Sequence, residues 1–107
     1  MVHVRRYEKN FSQETRELFR NAYECWVCGM NSMDALHHIL GGNFEEADSP
    51  LNAAPICNMK CHIGKSFSDE ETGRMLRQTR YYLWMIGYQL TAKDKKFIRD
   101  NQKYYGE

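Results

Sequence analysis

Residues 25–62 read CWVCGMNSMDALHHILGGNFEEADSPLNAAPICNMKCH, and this stretch holds the most informative chemistry of the chain. The 4 cysteines of the protein all lie in it, as the pairs Cys25-x-x-Cys28 and Cys57-x-x-x-Cys61. Four thiolates are enough to close one tetrahedral zinc site. The stretch therefore predicts a small fold that a metal helps to hold together.

The spacing of the cysteines distinguishes metal binding from disulfide formation. Two disulfides in a secreted domain would also use four cysteines, but a Cys-x-x-Cys pair with a histidine beside the second pair favours zinc. Cys57 and Cys61 are one residue further apart than is usual, yet on a helix about 40° separates them and they can share a face. We predict a structural Zn²⁺ bound by Cys25, Cys28, Cys57 and Cys61. In the alternative, one of the second pair is a small buried hydrophobe and His62 is the fourth ligand.

Three of the 4 histidines also fall within this stretch. Neighbouring side chains of a strand point to opposite faces, so His37 and His38 cannot both bind one ion from a regular strand. One of them can bind a divalent cation while the other takes a proton from water, and phosphodiester hydrolysis needs both tasks. His62 points away from the zinc if its segment is helical, and is then available to the second cation. We therefore predict two metals with different roles. We assign no metal-binding or catalytic role to His3.

The first half of the chain predicts one short helix and a β-hairpin. Ser12 is a candidate N-cap for a helix over residues 12–22. Residues 33–40 read as a strand, the following Gly-Gly-Asn as a turn, and residues 44–52 as a polar, acidic loop. Ala53–Ile56 is then the returning strand, and Pro55 restricts it to an edge position or a very short length.

The second half predicts two helices. Ser68 and Glu71 match a capping box, and the helix that follows extends to about Gly87. Thr91 with Asp94 begins another helix towards Tyr105. The residues that recur on the inner faces are Met75, Leu76, Thr79, Leu83 and Ile86 in the first helix, and Phe97 and Ile98 in the second.

Size and charge limit the class of protein. A chain of 107 residues is one domain, 1–107, for which a structural metal adds useful stability. The net charge is +1, from 15 basic and 14 acidic side chains, so a polyanion would meet a local basic patch and not a uniformly positive surface. The longest apolar stretch, residues 81–88, is too short to cross a bilayer, and no apolar leader opens the chain. We expect a soluble, intracellular, cytoplasmic protein.

Taken in order, these motifs resemble the HNH endonucleases, in the zinc-stabilised branch that is common in phages and mobile elements. The resemblance covers about residues 25–66, and it implies a ββα-metal core made of a hairpin, a long loop and a helix. Here one N-terminal helix and two C-terminal helices would flank that core, giving an α+β fold. The residues that carry the resemblance are Cys25-x-x-Cys28, Leu36-His37-His38-Ile39, Gly41-Gly42, Asn52, Cys57 and Cys61-His62.

Residue roles follow from the resemblance. It implies that His38 is the general base and that His37 and His62 hold the catalytic divalent cation. It also implies that Asn52 braces the loop and so orients the base.

Three features depart from the family. Many members have Asp at the position of His37, so the cation can be Mg²⁺, Mn²⁺ or another transition metal. The additional residue between the second pair of cysteines shifts His62 by one place, and Asn58 is then a further candidate ligand. Pro55 replaces an ordinary strand residue.

The function that the resemblance implies is a metal-dependent DNA endonuclease or nickase, a phosphodiester hydrolase of low intrinsic sequence specificity. Its partner would be duplex DNA, with protein partners directing cleavage. One alternative is a non-catalytic, zinc-stabilised nucleic-acid-binding module, and another is a zinc ribbon that binds proteins.

Basic and aromatic side chains supply candidate DNA contacts. Arginines repeat every three residues along one side of the first C-terminal helix, and lysines flank the second cysteine pair. Such charge runs are also common on solvated helix faces. Tyr81, Tyr82 and Trp84 can stack on bases, although core packing is the stronger expectation for them. The candidate phosphate contacts are Lys60, Lys65, Arg74, Arg77 and Arg80.

Overall fold

A computed structural model describes residues 11–22, 25–26, 35–56 and 67–106. Within these ranges the chain forms short and long helices and one two-stranded antiparallel sheet, which confirms the α+β class. In chain order the elements are helix α1 (Gln13–Leu18), strand β1 (Ala35–His38), a 3₁₀ helix (Pro50–Asn52), strand β2 (Ala53–Ile56), and helices α2 (Asp69–Met85), α3 (Ala92–Asp100) and α4 (Gln102–Tyr105).

The predicted hairpin is present, but its first strand ends earlier than expected. Strand β1 pairs with β2 in the register Ala35↔Ile56 to His38↔Ala53. It ends at His38 and not at residue 40, because the next two residues turn towards the 3₁₀ helix and bond to Asn52. Pro55 fits as expected, since in a two-stranded sheet each strand is an edge.

Helix α2 packs its apolar face against β2 and the 3₁₀ helix. The Thr79 hydroxyl on this face donates a 2.7 Å hydrogen bond to the carbonyl of Ala53, which fixes the helix to the strand. Met75, Leu76 and Leu83 are buried as predicted, but Ile86 is 45% exposed. The reason is that the helix ends at Met85, and Gly87 with a φ of 82° turns the chain away.

The helix starts were predicted more accurately than the helix ends. Ser12, Ser68 and Thr91 are N-caps, and the last two form complete capping boxes. Helix α1 ends at Leu18, four residues before the predicted end. The last predicted helix is broken at Asn101, whose side chain donates to the Phe97 carbonyl at 2.8 Å and closes the final turn of α3.

None of the helices in the described ranges combines the length and the apolar character needed to span a membrane.

Candidate functional site

The two adjacent histidines lie at the end of β1, opposite Ala54 and Ala53 of β2. Strand geometry directs their side chains to opposite faces of the hairpin. Both imidazoles are half-buried. The two imidazoles therefore lie on opposite faces of the hairpin and not side by side.

Each imidazole contacts its own phenylalanine. The ring of His38 is stacked on Phe11, with centroids 4.0 Å apart and planes 14° apart. The ring of His37 is tilted against Phe67, with centroids 5.3 Å apart. Both phenylalanines directly precede the N-cap serine of a helix, Phe11 before α1 and Phe67 before α2. The helix starts thus bring an aromatic ring to each histidine.

Neither phenylalanine was among the candidate site residues predicted from the sequence. A signal for them exists, because a Phe-Ser pair precedes both predicted helices and an apolar residue before an N-cap commonly packs inward. Sequence spacing could not show which side chain each ring would meet.

Asn52 braces the loop that follows His38. Its Oδ1 accepts a 2.8 Å hydrogen bond from the Leu40 N–H. Its Nδ2 donates to the carbonyls of Gly41 at 3.0 Å and Ala47 at 2.9 Å. The side chain is fully buried, so these bonds fix the backbone immediately after the histidine pair.

The same loop is also held from helix α3. The carboxylate of Asp94 accepts a 2.7 Å hydrogen bond from the Ser49 hydroxyl and a 2.6 Å bond from the Tyr88 hydroxyl. Lys96 forms a 3.1 Å ion pair with Glu46, a residue that is almost completely buried. The predicted polar, acidic loop is therefore partly buried and is attached to helix α3.

The Asp94 contact also changes the acidity of its tyrosine partner. Burial raises the pKa of Tyr88 well above its usual range, and the hydrogen bond and negative charge of Asp94 raise it further. The hydroxyl consequently stays protonated and continues to donate over the ordinary pH range.

Of the predicted sulfur ligands, the structure describes Cys25, which is buried with 2% exposure. The next residue, Trp26, donates its N–H to the carbonyl of Pro55 at 2.9 Å. The first cysteine pair thus begins beside β2, and Cys57 is the residue that directly follows this strand in the sequence. The other predicted ligands, Cys28, Cys57, Cys61 and His62, lie outside the described residues, as do Asn58, Lys60 and Lys65.

Two of the three arginines of α2 contact the C-terminal helix. Arg77 Nη1 donates to the Tyr104 carbonyl at 2.7 Å, and the Arg80 guanidinium lies 5.1 Å from the centre of the Tyr105 ring. Arg74 is exposed on the same helix. Arg77 and Arg80 thus lie beside α4, whereas the histidines lie beside the phenylalanines that precede α1 and α2.

The expectation of core packing is correct for one of the three aromatic residues near the end of α2. Tyr82 stacks on Phe19 at 5.2 Å, and its hydroxyl donates to the Leu18 carbonyl at 2.6 Å. Tyr81 and Trp84 are instead 60% and 73% exposed, so core packing was wrong for them.

No protein-family model, curated protein or solved structure matches the chain.

Proposed function

We propose that this protein is a metal-dependent DNA endonuclease or nickase of the HNH type, built on a ββα-metal core. The observation that supports this most directly is the Asn52 brace. Its amide makes three hydrogen bonds to the loop that begins directly after His38. An amide at this place would fix the backbone that carries a general base.

The predicted ligands, four cysteines and two histidines, are suited to two metals. Cys25 is buried beside the strand that leads directly to Cys57, and Cys28 and Cys61 would complete the structural Zn²⁺ site. His37 and His62 would hold the catalytic divalent cation, which is Mg²⁺, Mn²⁺ or another transition metal. Such a cation, when bound, neutralises charge on the phosphate and on the leaving oxygen.

Individual residues of the chain would then have separate roles in the hydrolysis. His38 takes the proton from the attacking water, while the stacked Phe11 limits rotation of its imidazole. Asn52 keeps the loop in place, and arginines of α2 contact phosphates of duplex DNA away from the cut. Such backbone contacts would give little sequence specificity of their own.

Plasmid nicking by His38→Ala tests this proposal. Wild-type protein should convert supercoiled plasmid to open circles with Mg²⁺ or Mn²⁺ and lose this activity with chelator. His38→Ala should lose it at least 100-fold, the lower range for a general base. His3→Ala, which changes the histidine outside the motif, is the matched control and should cut normally. Full nicking by folded His38→Ala would remove this residue from the mechanism.

The second candidate is a non-catalytic, zinc-stabilised nucleic-acid-binding module. It is favoured by the aromatic contacts of both imidazoles, since half-buried histidines packed on phenylalanine can be purely structural. This candidate predicts salt-sensitive DNA binding without cleavage under any divalent cation.

A further inference from the structure

Two aromatic side chains on α2 are largely exposed, although large apolar groups are usually buried in a small domain. Trp84 is 73% exposed and Tyr81 is 60% exposed. Their ring centroids are 6.0 Å apart and their planes differ by 32°. Residues three apart share a helix face, so the rings form one continuous surface. Adjacent exposed aromatic side chains of this kind indicate a binding site.

These two rings form part of a cavity of about 280 Å³, which we call the aromatic pocket. Its other lining residues are Arg77, Arg80 and Tyr105. Tyr105 is only 8% exposed, and its buried hydroxyl has no hydrogen-bond partner within the described part of the chain. A buried polar atom in this state is usually satisfied by water or by a ligand.

The two arginines of the pocket each contact the C-terminal helix α4. Arg77 donates to a neutral carbonyl, that of Tyr104, and Arg80 lies over the ring of Tyr105. Gly73 makes the position of Arg77 possible, because a Cβ there would lie 2.9 Å from Arg77 Nη1. The pocket therefore combines aromatic surfaces with two fixed positive charges.

We propose that the aromatic pocket binds an unpaired base of DNA, with Trp84 and Tyr81 stacking on the base and the arginines contacting flanking phosphates. Stacking surfaces beside cationic side chains are the common means of binding single-stranded nucleic acid. Protein interfaces also use Trp, Tyr and Arg. A polyanion is favoured here because Arg74 continues the row of cations one turn earlier on α2.

The proposal rests on the proposed function for the choice of DNA, and it defines the preferred substrate class. Helix α2 rises about 1.5 Å per residue, so the pocket residues lie roughly 15 to 25 Å along it from Phe67, the neighbour of His37. That span corresponds to about four to seven steps of 3.4 Å along a DNA strand. The preferred substrate is then a duplex with an unpaired segment a few nucleotides from the cut.

Intrinsic fluorescence gives a direct test, because the chain has only 2 tryptophans and Trp26 is buried with 8% exposure. Titrating the full chain with oligothymidine should quench the emission of Trp84. In Trp84→Phe, which retains Trp26, the quenching should disappear. Unchanged wild-type emission at saturating oligothymidine would overturn the proposal.

Affinity for labelled oligothymidine, followed by fluorescence anisotropy, is the second measurement. Trp84→Ala should weaken binding by roughly 5- to 150-fold, the range for one stacked base. Met85→Ala is the matched control, since Met85 is 57% exposed on the same helix but does not line the pocket. Arg77→Gln should lower the salt slope by about 0.7. Equal affinity of the Trp84→Ala and Met85→Ala variants would overturn the proposal.

The two proposals fail separately. Oligothymidine binding that depends on Trp84, in a protein that never nicks plasmid, would remove the nuclease and retain the pocket. Nicking that depends on His38, without any effect of Trp84→Ala on oligothymidine affinity, would remove the pocket and retain the nuclease. Sedimentation tests the remaining possibility, that the pocket joins two copies of the chain. If the wild-type protein is a dimer that dissociates in Trp84→Ala while DNA binding stays unchanged, the pocket is a protein interface and the proposal is overturned.

Discussion

At the scale of single residues, Asn52 is a candidate site residue that holds the loop after the histidines through both its backbone and its side chain. Its backbone carbonyl accepts from the Ile39 N–H at 2.8 Å, in addition to the three bonds of its side chain. A leucine or alanine at this place could close the 3₁₀ helix but could not satisfy the loop. The amide is needed because the loop presents one donor and two acceptors to the same buried point.

We predict that Asn52→Ala lowers the free energy of unfolding by about 2 to 4 kcal/mol, because it leaves buried backbone groups unpaired. Urea denaturation measures this change. Asn43→Ala, at an exposed position of the same loop, should stay within about 0.5 kcal/mol of wild type. Equal stability of the two variants would show that the Asn52 bonds contribute little.

At the scale of elements, helix α3 holds the loop after the histidines through Asp94. The carboxylate completes the capping box by accepting from the Thr91 N–H at 2.9 Å, and it also accepts from Ser49 and Tyr88. One side chain thus begins a helix and tethers a loop that is 45 residues away in sequence. Packing of α3 and order of the loop are therefore coupled.

The raised pKa of Tyr88 predicts how this coupling depends on pH. The folded state holds the phenolic proton more tightly than the unfolded state, so the contribution is complete below a pH of 10.0, the ordinary tyrosine value, and is lost as the pH rises above it. Tyr88→Phe should lower stability at neutral pH by about 1 to 2 kcal/mol and flatten the alkaline decline. Urea denaturation between pH 7 and 11 measures both effects. Exposed Tyr81→Phe should retain the wild-type decline, and an equally steep decline in Tyr88→Phe would contradict the prediction.

At the scale of the whole molecule, the described core is small and its centre is the hairpin. Leu36, Ala53, Ala54 and Ile56 of the hairpin are fully buried, and α2 packs against β2. The Trp26–Pro55 hydrogen bond attaches the segment of Cys25 and Trp26 to this centre. A metal bound there would link the N-terminal and C-terminal halves, and the apparent free energy of structural zinc, about 10 to 16 kcal/mol, is as large as the whole stability of a usual domain.

We therefore predict that metal analysis finds one tightly held zinc and that its removal by chelator lowers the melting temperature by at least about 10 °C. Cys28→Ser should have the same effect, since it removes a predicted sulfur ligand. His37→Ala should keep the tight zinc and most of the stability while losing nicking. A chain that melts identically with and without chelator would contradict the structural zinc.

The sequence determined local features whose causes lie within a few residues. Capping boxes at Ser68 and Thr91, the strand Ala53–Ile56 and the restriction imposed by Pro55 all follow from neighbouring side chains and backbone. Helix ends were less predictable, because Asn101 breaks the last helix with a side-chain bond that competes with continued helix. Among the candidate site residues, the alternation of His37 and His38 was readable from strand geometry alone.

Only the tertiary structure decided which distant groups meet. The stacking of Phe11 on His38, the tether from Asp94 to Ser49 and the placement of Arg77 and Arg80 beside α4 join segments separated by many residues. The exposure of Trp84 was decided in the same way, because burial depends on which elements cover a helix face. A periodic pattern shows that a face exists, but the packing of the whole chain determines what covers it.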